Sequence, residues 1–99
     1  MFARLSTYQG SPVPPDGDLT AKSEAIVKQV ENLPGFRGAY YLVDRVTGKS
    51  RSLTLWADEA SMVESEEEAA RVRLESSHRE GQRVVSVDHF EVAFVRLAP

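Results

Sequence analysis

Apolar positions in this chain recur with a period of two in some stretches and near 3.6 in others, and the switches mark its elements. Residues 2–8 carry aromatic and small or β-branched side chains suited to a first strand. Residues 10–17, Gly-Ser-Pro-Val-Pro-Pro-Asp-Gly, end it, because their prolines and glycines forbid regular structure. Asp18 then offers an N-cap. Leu19, Ile26, Val30 and Leu33 fall near helical spacing, with Lys22, Lys28, Gln29 and Glu31 elsewhere around the cylinder. Pro34 stops this helix and disfavours helix in the residue before it. Two strand-like runs follow, residues 38–44 and 50–56, with Val46-Thr-Gly-Lys49 between them; this predicts a hairpin with Gly48 in the turn. Asp58 opens a helical segment that extends to Glu80, and the capping-box pattern Ser65-Glu-Glu-Glu68 can restart it midway. Gly81 closes that segment. Residues 83–97 form a long β-rich final run.

The order is strand, helix, strand, strand, helix, strand. It predicts an α+β, ferredoxin-like βαββαβ domain with a four-stranded antiparallel sheet, occupying residues 1–99 as a single unit. Two helices cover one face of such a sheet, so the other face of a monomer should be polar. The strands do not alternate that way. Tyr40-Tyr-Leu-Val43 is apolar or aromatic at every position, and the last run places Phe90, Val92 and Phe94 on one side with Ala93 and Val95 on the other. A sheet with two apolar faces and helices for one of them predicts a homodimer with its sheets packed together.

Composition sharpens this picture. A 99-residue chain buries only about two-thirds of its unfolded surface, so its stability margin is narrow. With no cysteine and two histidines, neither a disulfide nor a structural zinc site can widen that margin, which again favours oligomerisation. The net charge of −3 offers no electrostatic footprint for nucleic acid or an anionic membrane. No apolar stretch approaches a bilayer span, and the first residues lack a signal-peptide pattern, so the expectation is a cytoplasmic protein.

Several stretches together resemble the antibiotic biosynthesis monooxygenase family. They are Phe2-Ala-Arg-Leu, Leu33-Pro-Gly-Phe-Arg-Gly-Ala-Tyr40, Leu53-Thr-Leu-Trp56 followed by Asp58-Glu59, and Phe90-Glu-Val-Ala93. The resemblance implies a dimeric α/β barrel with a cleft between sheet and helices. Some members oxidise polycyclic phenols or quinols without a cofactor, and others bind and open haem. Trp56 matches a cleft-lining tryptophan at the end of the third strand. The haem-degrading relatives add an asparagine in the first strand and a histidine early in the second helix. Ala3 stands at the first position, Met62, Val63 and Glu66 occupy the region of the second, and His78 lies about three turns too late. The expectation is therefore no haem and no other cofactor.

On this reading the Trp56 ring stacks on a planar aromatic ligand and its indole N–H donates to a ligand oxygen, against the plainer alternative of packing at a strand end. Thr54 and Ser52 share its strand face by period two. Tyr8, Tyr40 and Tyr41 are further hydrogen-bond candidates for an oxyanion, although Tyr40 and Tyr41 point to opposite faces. His78 suits a general base but equally a helix C-terminus. Glu75-Ser-Ser-His78 has no second copy to complete a di-iron site, and Gly48-Lys-Ser50 lacks the strand-to-helix setting of a phosphate loop. Glu67, Arg71, Glu75 and Arg79, spaced by four with alternating sign, read as a solvated helix face. The expectation is an aromatic or quinol-type ligand beside Trp56, with Trp56, Tyr8, Tyr40 and Thr54 as the catalytic candidates of a cofactor-free monooxygenase. The rival is a non-catalytic dimeric binding or structural protein, since a fold does not imply a function.

Overall fold

A computed structural model describes residues 1–99 in full. The strands are β1 (Phe2–Gln9), β2 (Phe36–Val43), β3 (Lys49–Trp56) and β4 (Arg83–Glu91); the helices are α1 (Thr20–Val30), α2 (Glu59–Glu64) and α3 (Glu66–Arg79). The sheet is antiparallel with spatial order β2-β3-β1-β4. This is the predicted ferredoxin-like arrangement. None of its helices is long and apolar enough to cross a membrane.

Local chemistry explains the boundaries. Asp18 accepts the Thr20 backbone N–H at 2.8 Å, which holds the entry to α1, although the helix itself begins beyond Leu19. Asp58 caps α2 through Ser61 N–H at 2.7 Å. In the β2–β3 hairpin, Asp44 Oδ1 accepts from Val46 and Thr47 N–H, and Gly48 adopts φ +77°. A side chain at Gly48 would strike the Gly10 carbonyl, so that turn needs glycine on two counts.

Two expectations need correction. The second helical segment is interrupted at Ser65, as its capping-box pattern suggests, but the Ser65 side chain does not cap α3. Its hydroxyl donates back to the Met62 carbonyl at 2.7 Å and accepts from Arg4 at 2.9 Å. The last strand ends at Glu91 rather than Leu97. Glu91 pairs with Phe2, at the start of β1, so no ladder remains beyond it. One bond, from Val92 N–H to the Met1 carbonyl, follows, and residues 93–99 are exposed.

The register assigns the faces. Arg4, Ser6 and Tyr8 of β1 pair with Thr54, Ser52 and Ser50 of β3, and all six side chains look toward the helices. Ala3 and Leu5 pair with Leu55 and Leu53, and Tyr40 and Phe90 join them on the opposite face. The usual polarity is thus partly lost. Hydroxyls lie under the helices, while the uncovered face carries a patch of Ala3, Leu5, Leu53, Leu55, Tyr40 and Phe90 bordered by Thr7, Arg51 and Asp88. The core between the layers is correspondingly thin: its buried apolar residues are Val30, Trp56, Met62, Ala69 and Val72, Trp56 being the largest fully buried side chain, while Ala3 is buried by its strand neighbours on the other face.

Candidate functional site

Small residues leave a gap between the sheet and the helices. Ser6, Ser50 and Ser52 on the floor and Ala69 and Ser76 on the roof cannot fill the space between the layers, and a cavity of about 220 Å³ results. Its roof follows helical spacing. Ile26 and Val30 come from α1, with Leu19 just before it, and Ala69, Val72 and Arg73 from α3. The floor is hydroxylic, with Tyr8, Tyr41 and Thr54 beside the serines. A ligand held here meets hydrogen-bonding groups on one side and hydrocarbon on the other, as small-molecule sites commonly provide.

The floor hydroxyls are not equally free. Tyr8 Oη and Ser52 Oγ share a hydrogen bond of 3.1 Å. Gln82 donates to Ser50 Oγ at 3.2 Å. Thr54 Oγ1 accepts the Trp56 indole N–H at 3.0 Å, which leaves the Thr54 hydroxyl hydrogen available to donate. Ser6 and Tyr41 line the cavity without a side-chain hydrogen bond to the protein, and since no fully buried polar side-chain atom lacks a partner, both hydroxyls open onto the cavity space. Burial and the nearby Tyr8 push the Tyr41 phenol up to about 12, so it remains a neutral donor at physiological pH.

One end of the cavity is set by charge. Arg4 is 3 % exposed and donates to Glu66 at 3.0 Å, to the Met62 carbonyl at 2.8 Å and to Ser65 at 2.9 Å. Its guanidinium lies 5.5 Å from the centre of the Trp56 ring. Burial, which opposes charging, lowers the Arg4 pKa, and Glu66 counters only part of that. For Glu66, burial pushes upward, but Arg4 and His89 outweigh it and hold the carboxyl below its ordinary range. His89 Nε2 meets Glu66 at 3.0 Å, and the Arg73 guanidinium comes no closer to it than 3.6 Å.

The residues singled out from sequence divide accordingly. Tyr8 and Thr54 line the cavity. Trp56 does not: it is fully buried at the strand end, edge-on to Phe36 with ring centres 5.6 Å apart, one side chain removed from the cavity through Thr54. Tyr40 lies on the opposite sheet face and is half-exposed. Tyr41 occupies the cavity side, and His78 is exposed and absent from the lining. Arg4, Ser6 and Arg73 were not anticipated. The period-two pairing of Arg4, Ser6 and Tyr8 on one strand face was the available signal for the first two, whereas Arg73 blends into a highly charged helix.

Among solved structures, the chain is similar to the crystal structure of a candidate antibiotic biosynthesis monooxygenase from Deinococcus radiodurans, with a TM-score of 0.66 and 8 % identity. The match covers 100 % of this chain and 99 % of that one. No protein-family model matches the chain. No curated protein matches it either. At this identity the correspondence is one of architecture, and it extends over both chains from end to end: the protein has the ferredoxin-like fold of an antibiotic biosynthesis monooxygenase-like protein.

Proposed function

We propose that this protein binds an aromatic or quinol-type small molecule in the cavity between sheet and helices and acts on it as a cofactor-free monooxygenase. One observation carries the reading: a cavity with a hydroxyl-lined floor, an apolar roof and two phenols, Tyr8 and Tyr41, on the floor side. The architecture shared with the Deinococcus protein supports the choice of chemistry. In this reaction class the ligand's own phenolate or carbanion supplies electrons to dioxygen. The protein's task is then to position the anion and stabilise it with preorganised donors. Tyr8, Tyr41 and Thr54 are placed to donate. Trp56 holds Thr54 in orientation by occupying its acceptor lone pair, a supporting part rather than direct contact.

The buried indole and its spent N–H favour a second reading, a non-catalytic carrier of the same ligand class. Titration with phenols and quinols, followed by Trp56 emission and an oxygen electrode, separates the two. Saturable quenching with oxygen consumption supports the monooxygenase, and quenching without consumption supports the carrier. Unchanged emission together with no heat in calorimetry overturns both.

The working unit we propose is a homodimer. Tyr40 and Phe90 are about half exposed, Leu42 slightly more, and all three belong to strands whose outer face has no helix over it. Phe94 and Leu97, in the chain beyond β4, are more than 70 % exposed. A second copy on that face would bury this surface and thicken a meagre core.

A further inference from the structure

Arg73 is a cation with only a long ion pair, to Glu66 at 3.6 Å. Its side chain is 13 % exposed, it lines the cavity, and its guanidinium makes no hydrogen bond to the protein. The nearest carboxylate, Glu66, gives its Oε2 to Arg4 at 2.8 Å and to His89 at 3.0 Å, while its Oε1 faces Arg73 at 3.6 Å, beyond hydrogen-bond distance. Two guanidiniums therefore share one carboxylate at this end. The crowding registers on Arg4, whose charge Arg73 disfavours. Around the rest of the lining the balance is even, since Lys22 pairs with Glu80 at 3.5 Å and Asp18 and Arg51 carry opposite charges. The surplus is thus one positive charge, localised at Arg73.

The free donors complete the picture. Ser6 stands next to Arg4 on the cavity face of β1, and its hydroxyl opens onto the cavity without a side-chain hydrogen bond to the protein. Through the register Ser6 pairs with Ser52, and Ser52 with Tyr41, so the two unpartnered hydroxyls belong to one row across three strands. An arginine fork and two unused hydroxyl donors suit an anion with planar oxygens. A single surplus charge suits a monoanion rather than a phosphate dianion.

We propose that the cavity's ligand is a monoanionic carboxylate on an apolar, ring-sized body, with the carboxylate clamped by Arg73 and received by the Ser6 and Tyr41 hydroxyls. This rests on the small-molecule reading of the cavity given above and adds to it the charge and orientation of the ligand. Arg73 and Ser6 become specificity-determining residues. The ring lies against Ile26, Val30 and Val72, and its charged end against the crowded guanidiniums.

Calorimetric titration at neutral pH with 2-naphthoate, 2-naphthamide and 2-naphthol tests it. The amide matches the carboxylate in shape but carries no charge, and the naphthol probes the cavity's affinity for neutral phenols. The carboxylate is expected to bind at least about tenfold tighter than the amide, as one charge-assisted interaction provides. Arg73→Gln should erase that ratio while the thermal midpoint and naphthol binding stay close to wild type. If Arg73→Gln does not fold, Ser6→Ala serves instead, with an expected loss of about tenfold for naphthoate alone. Equal binding of amide and carboxylate overturns the proposal, as does a preference that survives in the variant. Naphthol binding without naphthoate binding overturns it and leaves the aromatic-ligand reading standing. If none of the three binds, both fall together.

Discussion

The guanidinium of Arg4 lies 5.5 Å from the centre of the Trp56 ring, and this contact joins the first strand to the end of the third at the point where α2 gives way to α3. The same side chain donates to the Met62 carbonyl and to Ser65, the residue between the two helices. Arg4 thus organises a polar junction inside a thin core. Replacing it with Met keeps the length but leaves Glu66 without its closest cation and removes a donor from Met62. The expected cost is roughly 1–3 kcal/mol, because the buried Met62 carbonyl and Ser65 lose a charged donor while the half-exposed Glu66 keeps His89 and water. Urea unfolding followed by Trp56 emission measures it; a loss no larger than that of a surface Arg71→Met control would show that the junction is not structural.

Acid should weaken the same junction. Glu66 has its carboxyl held below the ordinary value of 4.5. A group depressed in the native state contributes stability that is complete above its unfolded value and disappears as pH falls through the native one. The loss therefore begins below about pH 4.5 and grows on further acidification. Asp58, held low by the Ser61 N–H it caps, and Glu68, held low by Arg71, titrate in the same direction. Denaturation midpoints measured from neutral pH downward should fall less steeply in Glu66→Gln than in wild type. Parallel curves would remove Glu66 from the account.

Tyr41 works in the opposite range. Burial and the neighbouring Tyr8 raise its phenol from 10.0 to about 12. The unfolded chain can ionise this group at a pH where the folded chain resists, so stability is whole below about pH 10 and declines as pH rises above it. Tyr41→Phe should flatten that alkaline decline and remove the step near 12 from an ultraviolet titration of the phenols. An unchanged titration would mean that the Tyr41 hydroxyl is solvated and not confined by the cavity.

The fold was legible because strand, helix and hairpin signals agreed with one another over most of the chain. Gly48 marked its turn, whereas α1 ends at Val30, four residues before the Pro34 expected to stop it. The end of β4 was not legible, since residues 92–97 have strand-like composition; what ends the strand is the start of β1, a tertiary limit with no local trace. Tyr40 and Tyr41 could be assigned to opposite faces by period alone, but which face held the cavity depended on the register with β3. Trp56 presents a different difficulty. A tryptophan at a strand end looks the same in sequence whether its N–H awaits a ligand or is used by Thr54 two residues away. Arg73 was hidden by its surroundings, because its place on the cavity wall, with only a long ion pair to Glu66, is a feature of three-dimensional placement.

The outer sheet face makes a prediction about assembly that is independent of the cavity. Leu53 lies on the helix-free face, paired in the register with Leu5 on one side and Tyr40 on the other. It is thus near the middle of the surface a second copy would cover. Sedimentation of the wild-type protein should give a dimer. Leu53→Asp places an unpaired carboxylate at the centre of that interface, where desolvation has no compensation, and should weaken association by about a hundredfold or more. Removing the exposed chain after Glu91 tests a separate contribution: Phe94 and Leu97 should add to the interface, so the shortened protein should dissociate more readily than wild type without losing the helical signal of α1 and α3. A wild-type protein that sediments as a monomer at high concentration would require another explanation for Tyr40, Leu42 and Phe90, and the outer face would then be a surface for a different partner.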